Sequence, residues 1–184
     1  YPVTPWKNGL GITREVLRHP VGTTGETFDW RLSMAEVTAD APFSPFPGIE
    51  RHLVVVAGGG LRLVIDGRRR TMGVGSDAVV FSGGAVVTAR PVDEVVTDLN
   101  LMLREGAATG SLTPVGGGEV RGEPGWTVLV AVEDLHVRVE GSVHDLGRLD
   151  ALLLVAGEPF VLEVAAQGGG LPVLAVLARM TVPS

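Results

Sequence analysis

The sequence predicts an all-β protein built from two related barrel halves, and three observations carry that prediction. Glycine and proline supply 26 and 12 of the 184 residues, a turn density too high for a helical bundle and without the Gly-X-Y period of collagen. The 30 valines favour pleated strands, where a β-branched side chain keeps its preferred rotamer, over helices, where it loses freedom. The third observation is an internal repeat. Leu61-Arg62-Leu63-Val64-Ile65-Asp66-Gly67 lies over Leu135-His136-Val137-Arg138-Val139-Glu140-Gly141 at a shift of 74. After a one-residue slip, Asp77–Phe81 lies over Asp150–Leu154 and Gly84 over Gly157.

Taken along the chain, Trp6–Glu15 reads as a glycine-spaced turn entering a strand, and Phe28–Val37 as a strand that alternates Trp30, Leu32 and Met34 with Arg31, Ser33 and Ala35. Pro42–Arg51 is a stiff, proline-rich loop. His52–Ala57, Leu61–Ile65, Ala78–Phe81 and Ala85–Ala89 are short runs separated by Gly58-Gly59-Gly60, Asp66-Gly67 and Gly83-Gly84, the punctuation of antiparallel hairpins. Val92–Asn100 and Gly170–Ala178 invite a helical reading, but β-branched residues, Gly and Pro make them strands or single turns. The repeat divides the chain into two β-barrel halves, residues 1–104 and 105–184.

Charge and composition exclude several functions. A net charge of −6 and a pI near 5.2, with Arg68-Arg69-Arg70 as the largest basic run, leave no phosphate-tracking face, so no nucleic-acid partner is expected. The absence of cysteine removes disulfides, zinc–thiolate sites and thiol nucleophiles. No apolar run reaches transmembrane length and the first residues lack a signal-peptide pattern, so the expectation is a cytoplasmic protein with no membrane partner. An exposed edge strand leaves a homodimer open.

The half-repeat resembles the cupin unit, which makes the expected fold a bicupin. In metal-binding cupins a histidine follows the glycine turn of each unit; here Val86 and Phe160 stand in its place. His19, His52, His136 and His144 are scattered and none has a second histidine at i+2 or i+4. No metal and no cofactor are expected. By alternation His136 belongs on the outer face of its strand.

Three polar motifs crowd the first third of the chain. Aromatic and proline residues there can act as a plug closing one barrel end. Arg31 inside an alternating strand and Arg51 before a Val-rich run need an anionic or carbonyl partner if they turn inward. Glu36 lies across its strand from Arg31, Asp40 falls in a turn and Glu50 points away from Arg51, which leaves a bound carboxylate as the partner. Arg31 and Arg51 can grip it bidentately, Asn8 and Asn100 can read an amide or formyl group, and Thr13 and Ser44 can add short hydrogen bonds. Trp6, Trp30 and Phe46 can wall the ligand.

The strings W-x-N-G-x-G-x-T-x-E, F-x-W-R-x-S-x-A-x-V and P-F-S-x-F-P-G-x-x-R, followed by Asp98-Leu99-Asn100-Leu101-Met102, resemble the HutD/Ves family over residues 6 to 102. The chain departs from that family's three successive glycines with Gly9-Leu10-Gly11. The resemblance implies a bicupin that accompanies histidine-utilisation genes, convergence of the motifs on one site, and a small-molecule binding function with formylglutamate or urocanate as ligand and no catalytic residues. The other reading is a metal-independent isomerase or epimerase of the cupin type. Such enzymes commonly use a histidine base and a tyrosine acid, whereas the one tyrosine here is Tyr1 and His52 faces opposite to Arg51.

Overall fold

The structure is a computed structural model that describes residues 1–6, 9–25, 27–93, 95–168, 173 and 175–183. No helix occurs among them, hence none long and apolar enough to cross a membrane. The chain divides into two compact units, Tyr1–Thr109 and Gly110–Ser184.

The first unit contains β1 (Val3–Pro5), β2 (Gly11–His19), β3 (Trp30–Val37), β4 (Ala41–Pro42), β5 (Ile49–Ala57), β6 (Leu61–Ile65), β7 (Arg68–Met72), β8 (Val79–Ser82), β9 (Val87–Pro91) and β10 (Val96–Arg104). They form one sheet in the order β1-β2-β3-β10-β5-β8 and another in the order β4-β9-β6-β7. The second unit follows with β11 (Thr109–Val115), β12 (Gly118–Gly122), β13 (Gly125–Ala131), β14 (Leu135–Val139), β15 (Ser142–Leu146), β16 (Ala151–Ala156), β17 (Phe160–Ala166) and β18 (Ala175–Thr181). Its sheets run β11-β18-β13-β16 and β12-β17-β14-β15. These are the orders β3-β10-β5-β8 and β4-β9-β6-β7 with every label moved on by eight, so the repeated sequence folds into a repeated topology. The first unit adds β1 and β2 to its copy.

The shared turn has a physical cause. Asp66 and Gly67 have φ of 45° and 80°, and Glu140 and Gly141 have 48° and 79°. Each pair closes a two-residue hairpin between Ile65 and Arg68 or between Val139 and Ser142, and positive φ at both turn positions is what the right-handed twist of the flanking strands demands.

The segments with helical ambiguity are strands: Val92–Asn100 overlaps β10, and of Gly170–Ala178 the described part enters β18, with residues 170–172 and 174 outside the described set. Arg68-Arg69-Arg70 opens β7, the outermost strand of its sheet, where charged side chains discourage pairing with another chain. β3 also differs from a half-buried strand, since Trp30, Leu32 and Met34 on one face and Ser33 and Ala35 on the other are all buried. His136 is exposed and bonds to Asp145 across the β14–β15 ladder at 2.5 Å.

The interiors of the two units contrast. Leu129, Leu135, Val137, Leu162, Val164 and Leu177 form the apolar core of the second. In the first, Leu53, Val55, Leu61, Leu63, Val87 and Val96 fill only part of the barrel. Along the rest, β3, β5 and β10 turn polar side chains inward.

Candidate functional site

A cavity of about 590 Å³ opens in the first unit, and its walls come from four stretches that are distant in sequence. β3 contributes Arg31, Ser33 and Ala35, and the neighbouring β10 contributes Asp98, Asn100 and Met102, in register as Arg31↔Met102, Ser33↔Asn100 and Ala35↔Asp98. Period-2 alternation therefore places every second residue of both strands on one wall. Arg51 enters from β5 opposite Met102, and a register shift in the β10–β5 ladder falls between Thr97 and Asp98. Trp6 and Thr13 form one rim; Phe43, Ser44 and Phe46 form another.

Both rims are held by close backbone approaches. Trp6 donates through its backbone N–H to Gly11 O at 2.9 Å and through Nε1 to Thr13 Oγ1 at 2.9 Å. A Cβ at Gly11 would lie 2.5 Å from Glu36 O and 3.0 Å from the Trp6 ring, so only glycine lets the indole fold onto β2. Across the cavity, Phe46 N donates to Gly83 O and Gly83 N to Ile49 O, both at 2.7 Å, and a Cβ at Gly83 would meet Phe46 O at 2.3 Å. Leu10 does not line the cavity; its carbonyl accepts from Thr38 N and Oγ1.

Arg51 is only 5% exposed. Its guanidinium carbon stands 4.8, 5.7 and 5.2 Å from the ring centroids of Phe43, Phe46 and Phe81, so three negative π-faces share its charge. Nε of Arg51, both carboxyl oxygens of Asp98 and Oδ1 of Asn100 are buried and have no hydrogen-bond partner among the described residues. Burial pushes the fully buried Asp98 carboxyl up to about 7, with the nearby Arg51 pulling the other way. Burial also lowers the Arg51 guanidinium to about 10, opposed by Asp98 and reinforced by Arg31, and it remains charged at neutral pH.

Arg31 does have an internal acid, contrary to the expectation that it lacks one. Its Nε donates to Glu15 Oε2 at 2.8 Å, and Glu15 also accepts from Arg18 Nε at 2.6 Å and from Arg18 Nη2. The partner is none of the acids between Arg31 and Arg51; it sits upstream, on the adjacent strand β2. The Arg18 hydrogen bonds, aided by Arg31, hold Glu15 below its ordinary range against the opposing effect of burial. Trp30 is a second correction. It faces away from Arg31, buried and stacked on His19 with centroids 5.9 Å apart, and does not wall the cavity. His52 is on the face opposite Arg51, as alternation requires, but buried there against Glu50 Oε1 at 2.8 Å.

Of the residues singled out from sequence, Trp6, Thr13, Arg31, Ser44, Phe46, Arg51 and Asn100 all line this cavity, and Asn8 lies outside the described residues. Asp98, Ser33, Phe43 and Met102 line it too. Asp98 was within reach of sequence reasoning: it is two residues before Asn100 and must share its face if the segment is a strand.

A metal is a poor fit to these walls. They carry two guanidinium groups, one carboxyl and no histidine, and no group of three His, Asp or Glu suited to a cation occurs among the described residues.

Fold and site together define a bicupin with a polar, arginine-bearing cavity in its first barrel. The chain belongs to the HutD family, whose model matches residues 1–171. An uncharacterized 21.2 kDa protein encoded in the region 3′ of hutC in Pseudomonas putida is 33% identical over 171 residues, 91% of this chain and 89% of that protein. Protein Ves of Citrobacter koseri is 35% identical over 105 residues, 56% of this chain and 53% of its own length. HutD from Pseudomonas fluorescens superposes with a TM-score of 0.83 at 28% identity, covering 100% of this chain and 95% of that one. A cupin 2 conserved barrel protein from Leptotrichia buccalis matches at a TM-score of 0.59 and 12% identity, over 94% of this chain and 89% of that one, which shows the shared fold. The family is associated with the histidine-utilisation locus.

Proposed function

We propose that the first barrel binds a small acidic metabolite of histidine utilisation, such as formylglutamate or urocanate, and that the protein acts by binding rather than by catalysis. The observation that carries this reading is Arg51: a buried, charged guanidinium with an unbonded Nε, beside a cavity large enough for a metabolite. Three phenyl faces soften the cost of its burial without satisfying its N–H groups, and a carboxylate would do so. Arg31 is already engaged by Glu15, so it supports the anion from a fixed position while Arg51 carries most of the contact.

A proton-transfer function has one observation in its favour, the Asp98 carboxyl near pH 7. Reversible proton abstraction from carbon ordinarily needs a second acid or base across the substrate, and no other carboxyl, histidine or tyrosine is among the described lining residues. The binding reading is therefore the stronger.

Calorimetric titration with formylglutamate, urocanate, glutamate and histidine tests it. At least one should bind, and Arg51→Ala should weaken that binding about tenfold to a hundredfold, the equivalent of roughly 1.4–2.8 kcal/mol. Arg51→Lys should recover part of the loss, because an ammonium lacks the planar fork. Unchanged binding in both variants would return the aromatic loop to a structural plug. Loss of a bound ligand's C–H signal in deuterated water would favour catalysis.

A further inference from the structure

The cavity holds a guanidinium and a carboxyl that do not meet. Asp98 is 0% exposed, neither of its carboxyl oxygens has a hydrogen-bond partner among the described residues, and Arg51 is close enough to bias its acidity without bonding to it. Arg51 is drawn aside by Phe43, Phe46 and Phe81. Asn100 Oδ1, two residues along the same wall as Asp98, is a third buried acceptor without a described partner. Buried polar groups are nearly always satisfied, so a site with one cationic donor and several unmatched acceptors is complementary to a molecule with both kinds of group. A carboxylate alone would satisfy Arg51 while standing beside the Asp98 carboxyl, where like charge and an empty acceptor both disfavour it.

We propose that Asp98, with Asn100 beside it, is the specificity-determining half of the site and selects acids that also carry an N–H donor: the ligand's carboxylate faces Arg51 and its N–H faces Asp98. This rests on the acid-binding reading above and narrows it. Amide, imidazole and ammonium nitrogens all supply the required donor. A plain dicarboxylate supplies none, and can enter only with a proton taken up by Asp98.

The test is a matched comparison in the intact protein. Formylglutamate and glutarate share a five-carbon diacid chain and differ by the formamido group, so their affinities isolate the N–H. If formylglutamate is not bound, urocanate against cinnamate, which keeps the planar acrylate and an aromatic ring but carries no N–H, makes the nearest equivalent comparison. The donor-bearing ligand should bind at least tenfold more tightly than its partner. Asp98→Asn places an amide that can itself donate, and should shrink the difference to within about threefold, whereas Arg51→Ala should weaken both ligands together. Calorimetry in buffers of different ionisation enthalpy adds a reading that needs no variant: the donor-bearing acid should bind without net proton uptake at pH 8. Equal affinities in the parent protein, or binding of both ligands with uptake of about one proton, would overturn the donor requirement while leaving the acid-binding reading intact. Failure of every acid to bind would remove both.

Discussion

Arg31 Nε donates to Glu15 Oε2 at 2.8 Å, from β3 to the adjacent β2. The same carboxylate accepts two bonds from Arg18, so one acid holds two guanidinium groups and fixes Arg31 at the cavity wall. Arg51 has no comparable clamp; its place is set by packing among three rings. The two arginines are thus held differently: Arg31 is positioned by a carboxylate that it shares with Arg18 and keeps its influence on Arg51, while Arg51 retains an unbonded Nε.

Glu15→Gln should loosen Arg31 and alter the acid limb of stability. Because Glu15 has a depressed pKa in the folded protein, its contribution is present above the ordinary carboxylate value and is lost as pH falls through the lowered one. The side chain is 24% exposed, so solvent screening limits the contribution to about 1 kcal/mol, or ~2–4 °C in melting temperature. Thermal melts from pH 7 to pH 3 should show the parent more stable at pH 7 and the two proteins drawing together as pH falls below the ordinary carboxylate range.

Asp98 works in the opposite sense. Its folded value, about 7, lies above its ordinary 3.8, so between these values the folded state holds a proton that the unfolded state has released. This group therefore makes stability fall as pH rises from about 4 to 7, and its effect levels off above the folded value. A shift of this size sets a ceiling on the order of 4 kcal/mol. Chemical denaturation should find that Asp98→Asn gains stability relative to the parent as pH rises across that window, with the difference constant above pH 8. A parent curve parallel to that of the variant would show that Asp98 is ionised throughout.

Much of this architecture is legible in the sequence because its signals are local. Asp66-Gly67 and Glu140-Gly141 mark hairpins through backbone sterics alone, and the alternation around Arg31 and Ser33 requires those two side chains to share a face. Pairings across the sheets are less accessible. Glu15 meets Arg31 because β2 lies beside β3 with an irregularity between Glu15 and Leu17, and no spacing rule reveals that shift. The ring cluster around Arg51 draws Phe43 and Phe46 from one loop but Phe81 from β8, a cross-strand partner of Arg51. Trp30 looked like a ligand wall because aromatic residues suit that role; strand parity already assigned it to the other face.

Gly83→Ala should damage the site from outside it. A Cβ there would press on Phe46 O at 2.3 Å and Ile49 O at 2.9 Å, both backbone atoms, so the loop carrying Phe43 and Phe46 must move away from Arg51. We expect a loss of about 1–3 kcal/mol in stability, as for other overpacked sites, and weaker ligand binding. Gly84→Ala is the control, since its Cβ would meet only Ser82 Oγ at 3.6 Å. Comparable losses in both variants, by denaturation and titration, would show that a general intolerance of the β8–β9 turn, rather than the Phe46 contact, is responsible.

The repeated hairpin turn separates backbone strain from side-chain bonding. Glu140 adopts φ of 48°, in the left-handed region that non-glycine residues enter at a cost of roughly 1–2 kcal/mol, and no side-chain hydrogen bond of Glu140 is found among the described residues to offset it. Asp66 adopts nearly the same φ, 45°, but its Oδ1 accepts from Val86 N at 2.9 Å. Asparagine tolerates the left-handed conformation better than glutamate and, before glycine, suits this turn. Glu140→Asn should therefore stabilise the second unit by about 0.5–1 kcal/mol. Asp66→Asn should change little, since aspartate is already tolerant there and the amide oxygen can still accept from Val86. Amide hydrogen exchange along β14 and β15 reads the first effect directly, with slower exchange in the variant. A gain of similar size from both substitutions would point to removal of surface negative charge, because each variant loses one, and would set aside the backbone explanation.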